Sequence, residues 1–161
     1  MGVQKSAREY SAYKVLWEEK ITNLITNLGS IEEDTSKIPL LKLQSTYKPF
    51  IQKIDITVFK NGEITVWKSQ VLFMDNSPEV NLKAQLGEEL LNEIKRLLDK
   101  EALQKQKSCF KAMKDGYSST LTLYLNDKVK VIHNENCEKS EFTLAYQCLD
   151  FLLSLILGVL K

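Results

Sequence analysis

Residues 51–73 read IQKIDITVFKNGEITVWKSQVLF, two β-rich runs joined at Asn61-Gly62, and the way this stretch folds back on itself decides the fold. Asn-Gly readily adopts the positive φ needed at both central positions of a type I′ turn, so the segment reads as an antiparallel hairpin. With a two-residue loop, Lys60 faces Glu63, which sets Ile54, Ile56 and Val58 on one face with Trp67, Val71 and Phe73 as core. The other face then carries Asp55 opposite Lys68 and Lys53 opposite Gln70, a solvated side with a cross-strand ion pair.

On the N-terminal side, Tyr10, Tyr13, Trp17, Ile21, Leu24 and Leu28 recur at steps of three and four, so a leading helix is expected over 6–28, with Gly29 as its stop. Residues 29–46 hold Glu32, Glu33, Asp34 and Pro39 without a period and read as a loop with a short turn around Leu40 to Leu43. On the C-terminal side, Asn76-Ser77-Pro78-Glu79 offers a cap and an N1 proline. Leu82, Leu86, Leu90, Ile94 and Leu97 then form the stripe of a second helix running to about Gln104. Its outer face, with Glu88, Glu89, Glu93, Lys95, Arg96 and Lys100, reads as solvated.

A short strand is expected from Ser108 to Met113, leading through Asp115-Gly116 into Tyr117 to Leu125, with a return over Val129 to His133. A three-residue turn at Asn126-Asp127-Lys128 gathers Leu121, Leu123, Leu125, Val129 and Val131 on one face. Ser140 caps a final helix that is apolar nearly all round after Leu149. The expectation is one α+β domain over 1–161, made of a leading helix (6–28), a loop (29–46) and two hairpin-plus-helix units (47–161). Its antiparallel sheet of four to five strands is packed with helices in the order α-β-β-α-(β)-β-β-α. That order is similar to those of the profilin-like, longin and roadblock folds and of the secretion-chaperone fold, in element order alone and with no shared motif residues.

Composition narrows the function classes. Twenty-two Lys and Arg against twenty-one Asp and Glu leave a formal charge of +1, so no global field favours nucleic acid, and a nucleic-acid partner is not expected. Six glycines, with no GxxxxGK[ST], GxGxxG, HExxH or GxSxG, argue against nucleotide hydrolysis and dinucleotide chemistry, and no cofactor is expected. Three widely spaced cysteines without a CxxC pair read as reduced thiols in a cytoplasmic protein. The apolar run from Leu149 to Leu160 is about twelve residues against the roughly twenty a bilayer requires, so it reads as a buried helix. Gly2 fits a short myristoylation pattern, and membrane association is expected only if that residue is acylated.

His133, the only histidine, could serve as a base with Cys109 or Cys137 as nucleophile, and with Cys109, Cys137 and Cys148 it supplies zinc-ligand types. Neither set has diagnostic spacing, so neither a catalytic nor a metal site is assigned. The carboxylates Asp55 and Glu63 are explained by ion pairing on a strand face. The favoured reading is a non-enzymatic protein–protein interaction module, binding a protein partner or a second copy of itself. Its contact is the last helix, through Phe151, Ser154, Leu155 and Gly158, or an exposed sheet edge. The alternative is a small-ligand carrier or small enzyme whose pocket between sheet and helices is lined by Trp67, Phe73 and Tyr124.

Overall fold

The computed structural model describes residues 2–29, 37–47, 51–72, 75–76, 80–112 and 116–160. The chain is α+β with a mostly antiparallel sheet and divides into two compact units. A helical unit comprises Met1–Thr26, Leu86–Gln106 and Glu138–Lys161, and a sheet unit comprises Asn27–Gln85 and Lys107–Cys137. Among the described residues no helix is long and apolar enough to cross a membrane.

The strands are β1 (Ile25–Gly29), β2 (Pro39–Tyr47), β3 (Ile51–Phe59), β4 (Glu63–Leu72), β5 (Asp75–Asn76), β6 (Val80–Leu86), β7 (Cys109–Phe110), β8 (Tyr117–Tyr124) and β9 (Val129–Glu135). Their order is β1-β6-β4-β3-β2-β8-β9-β7, with the two-residue β5 added on β4. The sheet is thus wider than the four to five strands expected. β2 through β4, β6, β8 and β9 pair antiparallel, and β7 lies parallel to β9.

Two of the extra strands replace expected loop and helix. β2 occupies what reads as loop over 29–46 and is the central strand between β3 and β8. Leu41-Lys42-Leu43-Gln44 alternates as a strand should, but the inward position two residues on is Ser45, which interrupts the apolar count while remaining buried. The expected N-terminal half of the second helix is β6. Leu82 and Leu86 are four apart, a step that suits period two as well as period 3.6. Asn81, Lys83 and Gln85 on one side and Ala84 on the other decide for the strand. Gly87, in an extended conformation, then starts α2 (Glu88–Leu98). The residues 77–79 expected to cap a helix, and Phe73, lie outside the described residues.

Both hairpins adopt the loop length opposite to the one expected. Val58 faces Ile64 and Ile56 faces Val66, which leaves Lys60, Asn61 and Gly62 as a three-residue loop. The Gly62 N–H donates to the Phe59 carbonyl at 3.0 Å and Gly62 has φ +89°, the arrangement of a type I turn closed by a left-handed glycine. The Asn61 side chain accepts from the Glu63 N–H at 3.0 Å instead of its backbone turning left-handed. A one-residue shift of register moves every side chain of β4 to the other face. Asp55 therefore stands opposite Trp67, Lys53 opposite Ser69 and Ile54 opposite Lys68. In the second hairpin, Leu125 N–H donates to the Lys128 carbonyl at 2.9 Å and Tyr124 faces Val129, so Asn126-Asp127 forms a two-residue loop. Leu121 then shares the buried face with Ile132, while Val129 and Val131 are 59% and 43% exposed on the other. One face of the sheet is buried through residues such as Leu41, Ile56, Val58, Ile64, Leu123 and Ile132, and the opposite face is polar.

In the helical unit, α1 (Gly2–Lys20) ends eight residues before the expected Leu28, passing through a 3-10 turn at Ile21–Leu24 into β1. The run Ile21-Thr22 and Ile25-Thr26 is β-branched, which weakens helix continuation. α4 (Leu144–Val159) contacts α1, α2 and the short α3 (Glu101–Gln104). Its cap is Thr143, whose side chain accepts from the Tyr146 N–H, and the expected cap Ser140 lies in the preceding 3-10 turn at Lys139–Glu141.

The cysteines are not all thiols. Cys109 and Cys137, 28 residues apart in sequence, form a disulfide with their Cα atoms 6.2 Å apart, and Cys148 is free and buried. β7 brings Cys109 alongside the end of β9, an adjacency that their distance along the chain does not announce.

Candidate binding surface on the polar face and edge of the sheet

Register alone aligns a row of polar side chains across the sheet. Asn81 of β6 faces Trp67 of β4, Trp67 faces Asp55 of β3, Asp55 faces Gln44 of β2, Gln44 faces Thr120 of β8, and Thr120 faces His133 of β9. Facing residues in neighbouring strands point to the same side, so all six share the polar face. Beside that row run Lys53, Thr46 and Ser118. Together Gln44, Thr46, Lys53, Asp55, Trp67, Ser118 and Thr120 line a shallow depression of about 450 Å³.

The β9 end of the row differs in character. Thr120 Oγ1 and His133 Nδ1 are 2.9 Å apart, and Phe110, 63% exposed, has its ring centroid 5.8 Å from that of His133. The pair does not extend to a nucleophile–base–carboxylate relay through Asp55. That residue stands three strands from His133 in the row, about 14 Å at the usual strand spacing.

β9 also borders the sheet. Antiparallel partners alternate between hydrogen-bonded and non-hydrogen-bonded pairs, and the Leu125–Lys128 bond fixes the phase. The pairs Tyr124–Val129 and Thr122–Val131 are then non-hydrogen-bonded, so the backbone N–H and C=O groups of Val129 and Val131 point away from β8. Further along, the same alternation aims the His133 N–H at Ser108 Oγ (2.9 Å) and the Glu135 carbonyl at the Lys111 N–H (2.8 Å). β7 registers with β9 only at Asn134 and Glu135, and among the described strands none pairs with Val129 to Val131 on that side.

The far end of β9 is locked. Asn136, with φ +62°, accepts the Tyr117 N–H on Oδ1 at 2.7 Å and donates from Nδ2 to the Lys111 carbonyl at 2.8 Å. A Cβ on Gly116 would lie 1.8 Å from that Oδ1, so only glycine fits beside it. With the disulfide, these bonds hold β7 in place and leave the open stretch of edge short.

On the opposite part of the polar face, Glu63 is bound by Lys37, with Lys83 at 3.5 Å. The Lys37 ammonium holds its carboxyl below the usual carboxylate range. This ion pair closes that corner of the face rather than opening it to a ligand.

The structure scatters the residues singled out in the sequence. Phe151 is buried with its ring edge-on to Tyr10, centroids 6.2 Å apart, while Ser154 and Gly158 are exposed and Leu155 is half-buried. Cys109 and Cys137 are bonded to each other, so neither offers a thiolate to zinc or to a substrate. Burial pushes the Cys148 thiol up to about 11, which removes it as a nucleophile at neutral pH. Trp67 and Tyr124 lie on the polar face and not in an apolar cavity. Gln44 and Thr46 do not stand out in the sequence because β2 reads as a loop, although the alternation over Leu41 to Gln44 carries the signal.

Compared with protein-family models, the sequence matches none, and a comparison with curated proteins finds no relative.

Proposed function

We propose that the chain is a protein-binding module that takes up an extended segment of a partner along the open edge of β9. The observation that carries this reading is the outward-pointing backbone of Val129 and Val131 combined with the exposure of both side chains. Unpaired strand edges recruit extended segments through main-chain hydrogen bonds, with side-chain pockets giving specificity.

The register supports a particular partner chemistry. Val129 and Val131 are on the polar face, whereas Lys128 and Lys130 alternate with them. A segment added there places apolar side chains beside the valines and side chains of the other parity beside the lysines, so charge complementarity favours an apolar–acidic alternation. A second copy of β9 fits less well. Pairing centred on Lys130 opposes it to itself, and pairing centred on Val131 runs the partner strand into the position of β7. The Cys109–Cys137 disulfide supports work in an oxidising compartment rather than the cytoplasm.

The test is an NMR titration of the intact protein with an end-blocked peptide of alternating Val and Glu. Binding should shift the amides of residues 128–132, and Val131→Pro should abolish it. Proline is tolerated where a strand N–H faces outward, so the variant should keep its fold. Binding that survives Val131→Pro, or shifts confined to α4, would contradict the reading.

A further inference from the structure

The depression over β4, β3, β2 and β8 is separate from the β9 edge and plays no part in strand addition. Its volume of about 450 Å³ lies within the range of small-molecule sites. Trp67 alone offers a broad apolar surface. The other lining groups offer hydroxyls from Thr46, Ser118 and Thr120, the Gln44 amide, the Asp55 carboxylate and the Lys53 ammonium.

That mixture excludes several ligand classes on physical grounds. Lys53 and Asp55 balance, whereas phosphate sites gather several cations or backbone N–H groups. An apolar ligand would cover one indole and strip water from the six polar side chains around it without replacing their hydrogen bonds. The match is a neutral molecule with a CH-rich face for the indole and a rim of hydroxyls. A pyranose ring has that form.

We propose that the groove binds a neutral saccharide, with one ring on Trp67 and its hydroxyls bonded by Asp55 and Gln44. Asp55 accepts only, while the Gln44 amide both donates and accepts, so the pair can satisfy neighbouring hydroxyls of either sense. The side chains stand on adjacent paired strands, which fixes their spacing before the ligand arrives. From Trp67 to Thr120 is three strand spacings, about 14 Å, so the row exceeds a single ring and favours an oligosaccharide.

The experiment is a heteronuclear NMR titration of the intact protein with neutral di- and trisaccharides covering gluco, galacto, manno and N-acetylglucosamine units in both anomeric linkages. Inorganic phosphate and a nucleoside serve as competing probes. One saccharide class should shift the Trp67 indole and the amides of β2 to β4 saturably. Trp67→Ala should weaken binding by about tenfold or more, and Asp55→Asn and Gln44→Ala should each weaken it several-fold. Thr65→Ala, on the same face but outside the groove, should leave it unchanged. If Trp67→Ala loses its dispersed amide spectrum, the Asp55→Asn and Gln44→Ala variants decide. A panel in which no saccharide moves Trp67 at about 10 mM would overturn the proposal. So would saturation by phosphate or nucleoside in place of sugar.

Discussion

α4 carries Phe151, Leu152, Leu153 and Ile156, all buried, whereas β9 has three branched aliphatic residues and leaves Val129 and Val131 exposed at 59% and 43%. The more apolar stretch is the less available one. α4 is buried and packs beside α1, α2 and α3, while β9 has a neighbour along only part of its outer side. An apolar sequence therefore measures how much surface must be covered, and the pairing pattern tells whether the chain itself covers it.

The largest expected contrast is in stability. Leu152→Ala removes a fully buried side chain and should cost about 2–5 kcal/mol, lowering the melting temperature by roughly 10 °C. Val131→Ala should cost only about 0.5 kcal/mol, apart from its effect on binding. Thermal melts of the two variants side by side check this, and equal costs would break the distinction between covered helix and open strand.

The boundary of the open edge is the next point to challenge. The Cys109–Cys137 bond closes a long loop, so replacing both cysteines with alanine should cost about 3 kcal/mol. Amides of β7 and of Asn134 to Cys137 should lose protection against exchange, lengthening the open edge towards His133. Uniform loosening of the sheet unit instead would mean that the disulfide does not delimit the edge.

A smaller effect separates the closed corner of the polar face from its groove. Lys37, with Lys83 beyond it, depresses the Glu63 pKa in the folded state, so the stabilisation is fully present above the ordinary carboxylate range. It is lost as pH falls through the folded value. Glu63→Gln should cost about 1 kcal/mol at neutral pH and flatten the acid side of the stability curve, as measured by denaturant unfolding across pH. Saccharide-induced shifts at Trp67 should not change in this variant.

How much of this was legible in the sequence can be argued from single residues. Asn61-Gly62 marks a hairpin correctly, but it does not choose between a two-residue turn and a type I turn closed by Gly62, and that choice alone turns Trp67 from core to polar face. The spacing of Leu82 and Leu86 fits strand and helix alike, and the discriminating sign is the alternation of Asn81, Lys83 and Gln85 with Ala84, ended by Gly87 where the helix begins. Buried Ser45 hid the central strand, because an inward polar residue breaks the alternation that periodicity reads. The final helix and its burial are legible from its apolar density, whereas what covers it is not, since that depends on α1, α2 and α3 packing beside it. Nothing in the spacing of Cys109 and Cys137 foretells a bond that requires β7 to lie beside β9. The polar row exists only once five registers are known.

Strand addition at β9 is tested by residue-resolved amide hydrogen exchange of β9 in the free protein and with the Val–Glu peptide. Alternation is expected in the free protein, with Val129 and Val131 exchanging quickly and Lys130 and Ile132 slowly, and the two valines should slow on peptide binding. Val129 and Val131 already protected in the free protein, or unchanged by the bound peptide, would contradict strand addition.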